Sequence, residues 1–374
     1  MIRVAHVLLS LASILSASAR VFAQATPAPQ PPATSSGPDD TPSIKVGMTL
    51  FSDYTYTESP EQKDTDGNTI HFSQFNISRS YINITGQVSH LVAFRVTPDI
   101  ARETSSFSAI AGSLEFRIKY AYAQFNLDDW MTKGSWARFG IQQTPWVDFA
   151  EGIYRYRFQG TMFTEREQSP GGAGFLVSSD AGASFHYSFP SDLGDIHGGV
   201  YNGENYNKTE TNDQKAFEVR GTLRPFPAAS VLRGLRVHGF YDADRYVRDA
   251  DRTRLVGSAT FEHQYLTTGV EYLKAHDRTS ITRPNIEGSG YSVWVIPRST
   301  RGFELLLRYD RMTPDTSIST QTRDRTIVGG AYWFPHQGPV SAALLLDYDG
   351  QTFHNFLAPQ PKQSKIAVHG LVSF

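Results

Sequence analysis

Apolar and polar residues alternate along most of this chain from residue 44 onward. In GFELLLRYD, residues 302–310, Phe303 and Leu305 alternate with Glu304 and Arg308. Successive side chains of a β-strand point to opposite faces, so a period of two predicts strands with one apolar face and one charged face. No segment of this part of the chain shows the 3.6-residue period that would predict an amphipathic helix.

The alternating segments are separated by turns or polar loops, and sixteen strands are predicted. They cover roughly 44–57, 73–86, 91–100, 113–126, 135–145, 180–190, 194–203, 214–225, 234–246, 253–262, 265–275, 286–297, 301–311, 325–334, 339–349 and 364–374. Short connectors such as 87–90 alternate with long polar ones such as 59–71. This arrangement is typical of an outer-membrane barrel. We therefore predict an all-β fold: a transmembrane antiparallel β-barrel of about 16 strands, with short periplasmic turns and long extracellular loops.

The apolar face of each strand is predicted to contact lipid. In SLEFRIKYAYAQF, residues 113–125, this face consists of Phe116, Ile118, Tyr120 and Tyr122. Aromatic residues near strand ends, namely Trp136, Trp333, Phe334 and Phe374, are predicted to form the girdle at the membrane interface. Alternation alone would also suit a soluble β-sandwich. The aromatic residues, the fully charged inner face and a targeting signal favour the membrane barrel.

The N-terminus has the composition of a secretory signal peptide. Arg3 is followed by an apolar stretch from Val4 to Leu15 and by two alternative small-residue sites, Ala17-Ser18-Ala19 and Ala23-Gln24-Ala25. An uncleaved anchor helix is the alternative. A Pro-rich linker is predicted at 26–43, after a signal peptide at 1–25, and the barrel at 44–374.

Composition and motifs give little support to catalysis or nucleic-acid binding. The chain has no cysteine and a formal charge of −2, so it is not a strongly basic nucleic-acid binder. Its histidines are scattered, with no metal-ligand spacing. We predict no enzyme activity, cofactor or metal.

One connector, at 147–179, is much longer than the others and rich in aromatic residues. Loops of this length in compact domains are usually functional or disordered, and the aromatic content argues against disorder. A sixteen-stranded barrel without a plug would leave a wide aqueous hole. We predict that this third loop folds into the lumen and constricts it, with Arg155, Arg157, Glu165, Arg166 and Glu167 near the constriction. A surface lid or receptor loop is the alternative.

The inward positions of the strands carry many cations. The predicted pore-lining residues are Arg79, Arg95, Arg117, Lys119, Arg138, Arg220, Arg236 and Arg308. Rings of Arg and Lys favour anions in pores. Acidic residues such as Glu218 and Asp310 share the same walls, so a salt-bridged lumen with mild selectivity is an equal alternative.

Four segments resemble the family of phosphate-selective porins of the O and P type. They are FNISRSYINITGQVSHLVAFRVTPD (75–99), RFGIQQTPWVDF (138–149), the stretch from DAGASFHYSF to GGVYNGENYN (180–207), and LRPFP (223–227). The resemblance implies a sixteen-strand, trimeric porin. Members often have consecutive arginines in the second strand, whereas Ser78-Arg79-Ser80 has one. The resemblance therefore does not by itself predict tight phosphate selectivity.

The function predicted from these features is that of a porin in the bacterial outer membrane. Its water-filled channel would let small hydrophilic solutes diffuse passively, with anions such as phosphate as the preferred class. The expected partners are outer-membrane lipid, small anionic or polar solutes and two further copies in a homotrimer. A non-conducting adhesin or structural barrel with a blocked lumen is the rival prediction.

Overall fold

A computed structural model describes residues 40–103, 105, 107–336, 338, 340–356 and 358–374. The predicted signal peptide at 1–25 lies outside the described residues. So does the predicted linker up to residue 39.

Sixteen antiparallel strands of the described chain form one closed barrel. The strands are Ser43–Ser59 (β1), Ser73–Gln87 (β2), Val92–Arg102 (β3), Leu114–Asn126 (β4), Trp136–Gln143 (β5), Ser179–Ser188 (β6), Gly194–Tyr201 (β7), Ala216–Leu223 (β8), Leu235–Val247 (β9), Ala250–His263 (β10), Leu266–Asp277 (β11), Ile286–Pro297 (β12), Phe303–Thr313 (β13), Thr322–Trp333 (β14), Ser341–His354 (β15) and Gln363–Ser373 (β16). Each strand pairs with its sequence neighbours, and β1 pairs with β16 to close the barrel, so that Phe51 lies opposite Leu371. The predicted strand number and topology are confirmed.

The outer face of the barrel is apolar. Phe116, Phe139, Leu305 and Leu346 all point outward, and Phe139 is 70% exposed. Soluble proteins rarely expose a continuous apolar surface of this extent, and a closed barrel has no unpaired strand edge, so lipid is the solvent that suits this surface. Among the described residues, no helix is long and apolar enough to cross a membrane.

A β-bulge in β4 corrects one part of the predicted alternation. Thr97 pairs with Tyr120 and the next residue, Pro98, pairs with Ile118, so Lys119 is the extra residue. A bulge of this kind shifts the alternation by one position. Tyr120 and Tyr122 are therefore buried inside the barrel, and the prediction that they contact lipid is wrong.

The predicted aromatic girdle is also wrong for two of its four members. Phe334 and Phe374 are exposed on the outside, as predicted. Trp136 and Trp333 instead line a cavity inside the barrel. An indole that points inward packs against an arginine or an aromatic ring. This packing is an alternative to a position at the membrane interface.

The connectors at the extracellular end are mostly the longer ones, with one exception. Only Arg248 and Asp249 join β9 to β10. The longest connector, at 144–178, is called L3 below. It contains two helices, Val147–Tyr154 (α1) and Phe163–Arg166 (α2). Short 3-10 helices lie at Pro190–Asp192, Leu232–Gly234 and Thr316–Ile318, and Gln62–Lys63 pairs with Thr69–Ile70 in the first long loop.

Candidate functional site

L3 starts and ends at neighbouring strands, β5 and β6, and its middle part lies inside the barrel. The Thr144 N–H donates to the Ser178 carbonyl at 3.2 Å and so closes the base of the loop. Helix α1 follows at once, with Asp148 in its first turn, where a carboxylate complements the helix dipole. The helix ends at Arg155, whose φ of 69° lies in the left-handed region. This turn redirects the chain across the lumen, so the predicted lumenal position of L3 is confirmed and the surface-lid alternative is wrong.

The aromatic residues of L3 pack against the inner side of β9–β15, called the packed wall below. Each of these strands contributes a buried apolar side chain: Phe240, Val256, Leu273, Trp294, Leu306, Ile327 and Leu345. From L3, Tyr154 and Phe163 are fully buried in the same cluster. Phe163 lies so close to β12 that a Cβ on Gly290 would be 2.6 Å from its ring, so only glycine fits there. This half of the lumen is therefore a dry core rather than a water-filled space.

Ion pairs on the packed wall hold L3 in place. The guanidinium of Arg155 lies 3.3 Å from Glu304 of β13, which also accepts a hydrogen bond from the Tyr156 hydroxyl at 2.9 Å. Arg308 donates two hydrogen bonds to Asp310, at 2.8 and 2.9 Å, and Arg166 of α2 lies 3.4 Å from the same carboxylate. Each of these buried charges has a partner of opposite charge, so removing either partner would leave a buried charge uncompensated.

The remaining charged residues predicted near the constriction have their ion-pair partners on different sides of L3. Glu167 pairs with Arg166 and lies 3.2 Å from Arg323. Arg157 instead lies 2.7 Å from Glu151 of α1 and 3.6 Å from Glu165.

Glu151 and Arg157 are the charged pair of L3 that faces open space. Burial raises the pKa of Glu151 to about 7, because the loss of water contact outweighs the opposing effect of Arg157.

The open part of the lumen is a cavity of about 800 Å³ between L3 and the inner side of β1–β8, and residues of β9, β10 and β14–β16 also line it. Its charged lining is strongly unbalanced. The cations are Arg95, Lys119, Arg138, Arg155, Arg157, Arg220 and Arg236, against the carboxylates Asp148, Glu151 and Glu262. Seven cations face three carboxylates in the lining, but Arg155 and Arg220 also pair with Glu304 and Asp195 outside it, so the excess positive charge lies mainly on Arg95 and Arg138. Four of the predicted pore-lining cations, Arg95, Lys119, Arg138 and Arg220, come from β3, β4, β5 and β8, and we call them the basic wall.

Two cations of the basic wall are held without a carboxylate. Arg95 donates to Thr97 at 2.9 Å and to Asn83 at 2.8 Å, and it lies over the Tyr120 ring at 4.5 Å. Arg138 donates to Gln124 at 2.8 Å and to Gln143 at 3.2 Å. Its guanidinium lies 3.7 Å from the Trp136 ring centroid. Among the described residues, neither arginine has a carboxylate within 4 Å. Neutral partners fix their positions and leave their charge uncompensated.

The other cations of the cavity are partly compensated. Lys119 lies 4.0 Å from Asp148, and its ammonium also faces the rings of Tyr81 and Tyr120. Arg220 lies 2.6 Å from Asp195 and stacks on Phe149 at 3.7 Å.

Arg236 pairs with Glu262 at 2.7 Å near the periplasmic end of the cavity. A second cavity of about 480 Å³ adjoins it there and reaches Lys133 in a periplasmic turn. The open space thus extends from L3 toward the periplasmic end.

Arg79 and Arg117 lie on the extracellular side of the basic wall and share one carboxylate. Asp99 is 3.0 Å from Arg79 and 3.7 Å from Arg117. Arg117 also lies over the ring of Tyr206, which comes from the fourth long loop. Both cations keep part of their surface exposed. Arg308 is different, because it points into the core beneath L3 and does not line the cavity.

The sequence reasoning missed the aromatic part of the cavity lining. Phe51, Tyr81 and Phe158 line it together with Trp136 and Trp333. Phe51 has the same parity as Thr49 and Asp53, so strict alternation could have placed it inward. Phe158 lies in L3, where no period indicates a direction. Among the described residues, no cluster of acidic and histidine side chains is arranged to hold a metal ion.

Neither protein-family models nor curated protein sequences give a match to this chain. Solved structures do. An anion-selective porin from Comamonas acidovorans is 11% identical, with a TM-score of 0.58, covering 89% of this chain and 100% of that one. OmpT of Vibrio cholerae without its loop L8 is 15% identical, with a TM-score of 0.55 and coverages of 90% and 100%. The outer-membrane channel DcaP of Acinetobacter baumannii is 12% identical, with a TM-score of 0.54 and coverages of 89% and 97%.

This chain has the fold of the bacterial outer-membrane porins. Identities this low show a shared fold and nothing finer. With its apolar outer face, a barrel of this fold belongs in the bacterial outer membrane, as predicted. The assignment to the phosphate-selective family stays a prediction.

Proposed function

We propose that this protein is a passive outer-membrane channel that prefers small anions. The observation that carries the proposal is that two cations of the open cavity, Arg95 and Arg138, are held by neutral partners, so their charge faces the cavity uncancelled. An unscreened guanidinium attracts an anion by about 1 kcal/mol at 4 Å in bulk water, and by more where protein walls lower the effective dielectric constant. A solute crossing the narrow part of the lumen meets this field at close range.

The arrangement of the cations supports the same proposal. Arg117 and Arg79 lie toward the extracellular side, Lys119 and Arg95 in the middle, and Arg138 toward the periplasmic side. An anion would therefore pass from one cation to the next along one wall. Each step exchanges one favourable contact for another, which permits both binding and release.

The test is the reversal potential of the reconstituted protein in a planar bilayer under a tenfold KCl gradient. We expect open conductance steps and a reversal potential of the sign that indicates Cl⁻ preference. Neutralising Arg117 and Lys119 together with glutamine should move the potential toward zero. Arg248→Gln, which removes an equal charge from an extracellular turn, is the control. A cation-selective channel would contradict the proposal.

A blocked barrel that serves adhesion or structure is the rival function. The dense packing of L3 on β9–β15 favours it to some degree, because half of the lumen is closed. A silent bilayer at every voltage would favour the rival.

We further propose a homotrimer, as the resemblance to phosphate-selective porins implies. From the N-terminal residues and the lack of catalytic motifs, we also propose export by a signal peptide at 1–25 and no enzyme activity. Mass measurement of the mature protein in detergent tests the trimer and the cleavage site together.

A further inference from the structure

The cavity between L3 and the basic wall has an apolar lining in addition to its cations. This lining offers no favourable contact to a small inorganic anion. The apolar lining is formed by Phe51 of β1, Phe158 of L3 and Trp333 of β14, together with Leu371 of β16. A hydrated inorganic anion gains nothing from contact with aromatic side chains. Aromatic surface that faces water is itself unfavourable. The lining therefore fits a solute that is anionic at one end and apolar at the other.

The apolar and the cationic surfaces are continuous. The Trp333 and Phe158 ring centroids are 5.8 Å apart, and Phe158 lies 6.3 Å from Phe51. Phe51 is in edge contact with Tyr81 at 6.1 Å. The ammonium of Lys119 then lies 5.1 Å from the Tyr81 ring. The aromatic surface thus leads directly to a cation, Lys119, whose ammonium also lies 4.0 Å from the Asp148 carboxylate.

The cationic end of this path provides donors of the geometry that a carboxylate needs. Lys119 and Arg95 both face the ring of Tyr120, at 5.2 and 4.5 Å. Within the described part of the chain, Arg95 uses its Nε in a hydrogen bond to Thr97 and one terminal nitrogen in a hydrogen bond to Asn83. Guanidinium groups bind planar carboxylates through paired hydrogen bonds, and Lys adds a point charge. The hydroxyl of Tyr120 is already engaged with Asp148, which orients the ring beneath the two cations.

We propose that this cavity is a binding site for small aryl carboxylates. The carboxylate lies at Arg95 and Lys119, and the aromatic ring lies against Phe51 and Phe158. Ring stacking and the removal of apolar surface from water add to the charge interaction, so an aryl carboxylate binds more tightly than an alkyl carboxylate of equal charge. The inference deepens the proposed anion channel and rests on it for solute access, because the site lies on the only pathway proposed above.

The experiment measures block of the Cl⁻ current in planar bilayers by benzoate, acetate and inorganic phosphate. The half-blocking concentration of benzoate should be at least about tenfold lower than that of acetate or phosphate, the expected effect of one well-packed ring. Equal block by benzoate and acetate would overturn the aryl site and leave anion selectivity standing. Tighter block by phosphate would also overturn it.

Two variants test the two ends of the site. Phe158→Leu removes the ring contact and should weaken benzoate block about fivefold, while acetate block changes by less than about twofold. Arg95→Gln should weaken block by both carboxylates. Arg248→Gln, on the extracellular turn, should behave as the unmodified protein. The proposed site would be contradicted if Arg248→Gln lost the difference between benzoate and acetate block. It would also be contradicted if Phe158→Leu kept that difference at its full size. Phe51→Leu is the substitute if Phe158→Leu does not assemble.

If the channel conducts no current, the proposed function fails and the site is tested separately. Calorimetric titration of the full barrel in detergent with benzoate and acetate then gives both affinities. A saturable benzoate signal at least about tenfold tighter than acetate supports the site in a non-conducting barrel. Equal or absent binding overturns it.

Discussion

The packed wall and the basic wall face each other across the same lumen, but arginines on the two walls have different hydrogen-bond partners. On the packed wall, Arg308 and Arg325 donate to Asp310 and Asp349, at 2.8 and 2.7 Å. On the basic wall, Arg95 and Arg138 donate to neutral side chains and stack on aromatic rings. Position is fixed in both cases, but Arg95 and Arg138 keep their charge without a carboxylate partner, whereas Arg308 and Arg325 do not. The difference separates cations that hold L3 from cations that can act on a solute.

The same contrast applies to the apolar residues. Those of the packed wall meet the aromatic residues of L3 and exclude water. Those beside the basic wall, such as Phe51 and Trp333, line a cavity. Phe51 and Trp333 also contact Phe158 of L3, at 6.3 and 5.8 Å, so they differ from the other apolar residues in bordering open space as well as L3.

The largest expected effect comes from breaking the packing of L3. Phe163→Ala removes a fully buried ring that lies against Gly290, and it should lower the free energy of unfolding by about 3–5 kcal/mol. Released from the packed wall, L3 should also move, so single-channel conductance should rise and become noisier. Phe116→Ala, on the lipid-facing side, is the matched control and should cost about 1 kcal/mol or less. Urea unfolding of the detergent-folded barrel measures both, and equal costs would show that L3 is not a structural core.

The next effect distinguishes the two classes of arginine directly. Arg308→Gln leaves the buried Asp310 with Arg166 at 3.4 Å and a hydrogen bond from Ser292 at 2.6 Å, which should cost about 3 kcal/mol of stability, near the lower end of the usual range for a broken buried pair. Anion selectivity should change little. Arg138→Gln should show the reverse behaviour. It loses the contacts with Trp136 and Tyr122, worth about 1 kcal/mol, and its main effect should be a reversal potential closer to zero.

Unfolding curves and reversal potentials of both proteins decide this prediction. Loss of selectivity in Arg308→Gln, with none in Arg138→Gln, would exchange the roles assigned to the two walls.

These roles show how far the sequence could be interpreted. Alternation correctly placed Phe303 and Leu305 outside and Glu304 and Arg308 inside, because lipid and lumen impose a strict period of two. It failed at Tyr120, where a bulge opposite Pro98 shifts the period by one residue.

The division among the arginines was only partly accessible. Asp310 follows Arg308 by two positions, on the same face of one strand, so this pair could have been recognised from spacing alone. The pairing of Arg155 with Glu304 joins residues 149 positions apart and depends on the path of L3 through the lumen. No local sequence pattern predicts that path. For the same reason, the sequence could not show that Arg138 has no carboxylate partner.

The smallest expected effect is a change of anion preference with pH, which tests whether L3 contributes charge to the open cavity. Glu151, in helix α1, faces the open cavity and pairs with Arg157 at 2.7 Å. Burial raises the pKa of its carboxyl group to about 7, so the group is mostly charged at pH 8 and mostly neutral at pH 6. Acidification therefore removes a negative charge from the cavity and leaves Arg157 less compensated, so anion preference should rise as the pH falls through 7. We expect a change in the Cl⁻/K⁺ permeability ratio of about twofold or less, because Glu165 at 3.6 Å still compensates part of the arginine charge. Reversal potentials at pH 8 and pH 6 measure this change, and Glu151→Gln should remove it by fixing the neutral form. A pH response that survives in Glu151→Gln would assign the titration to another group and would remove L3 from the control of selectivity.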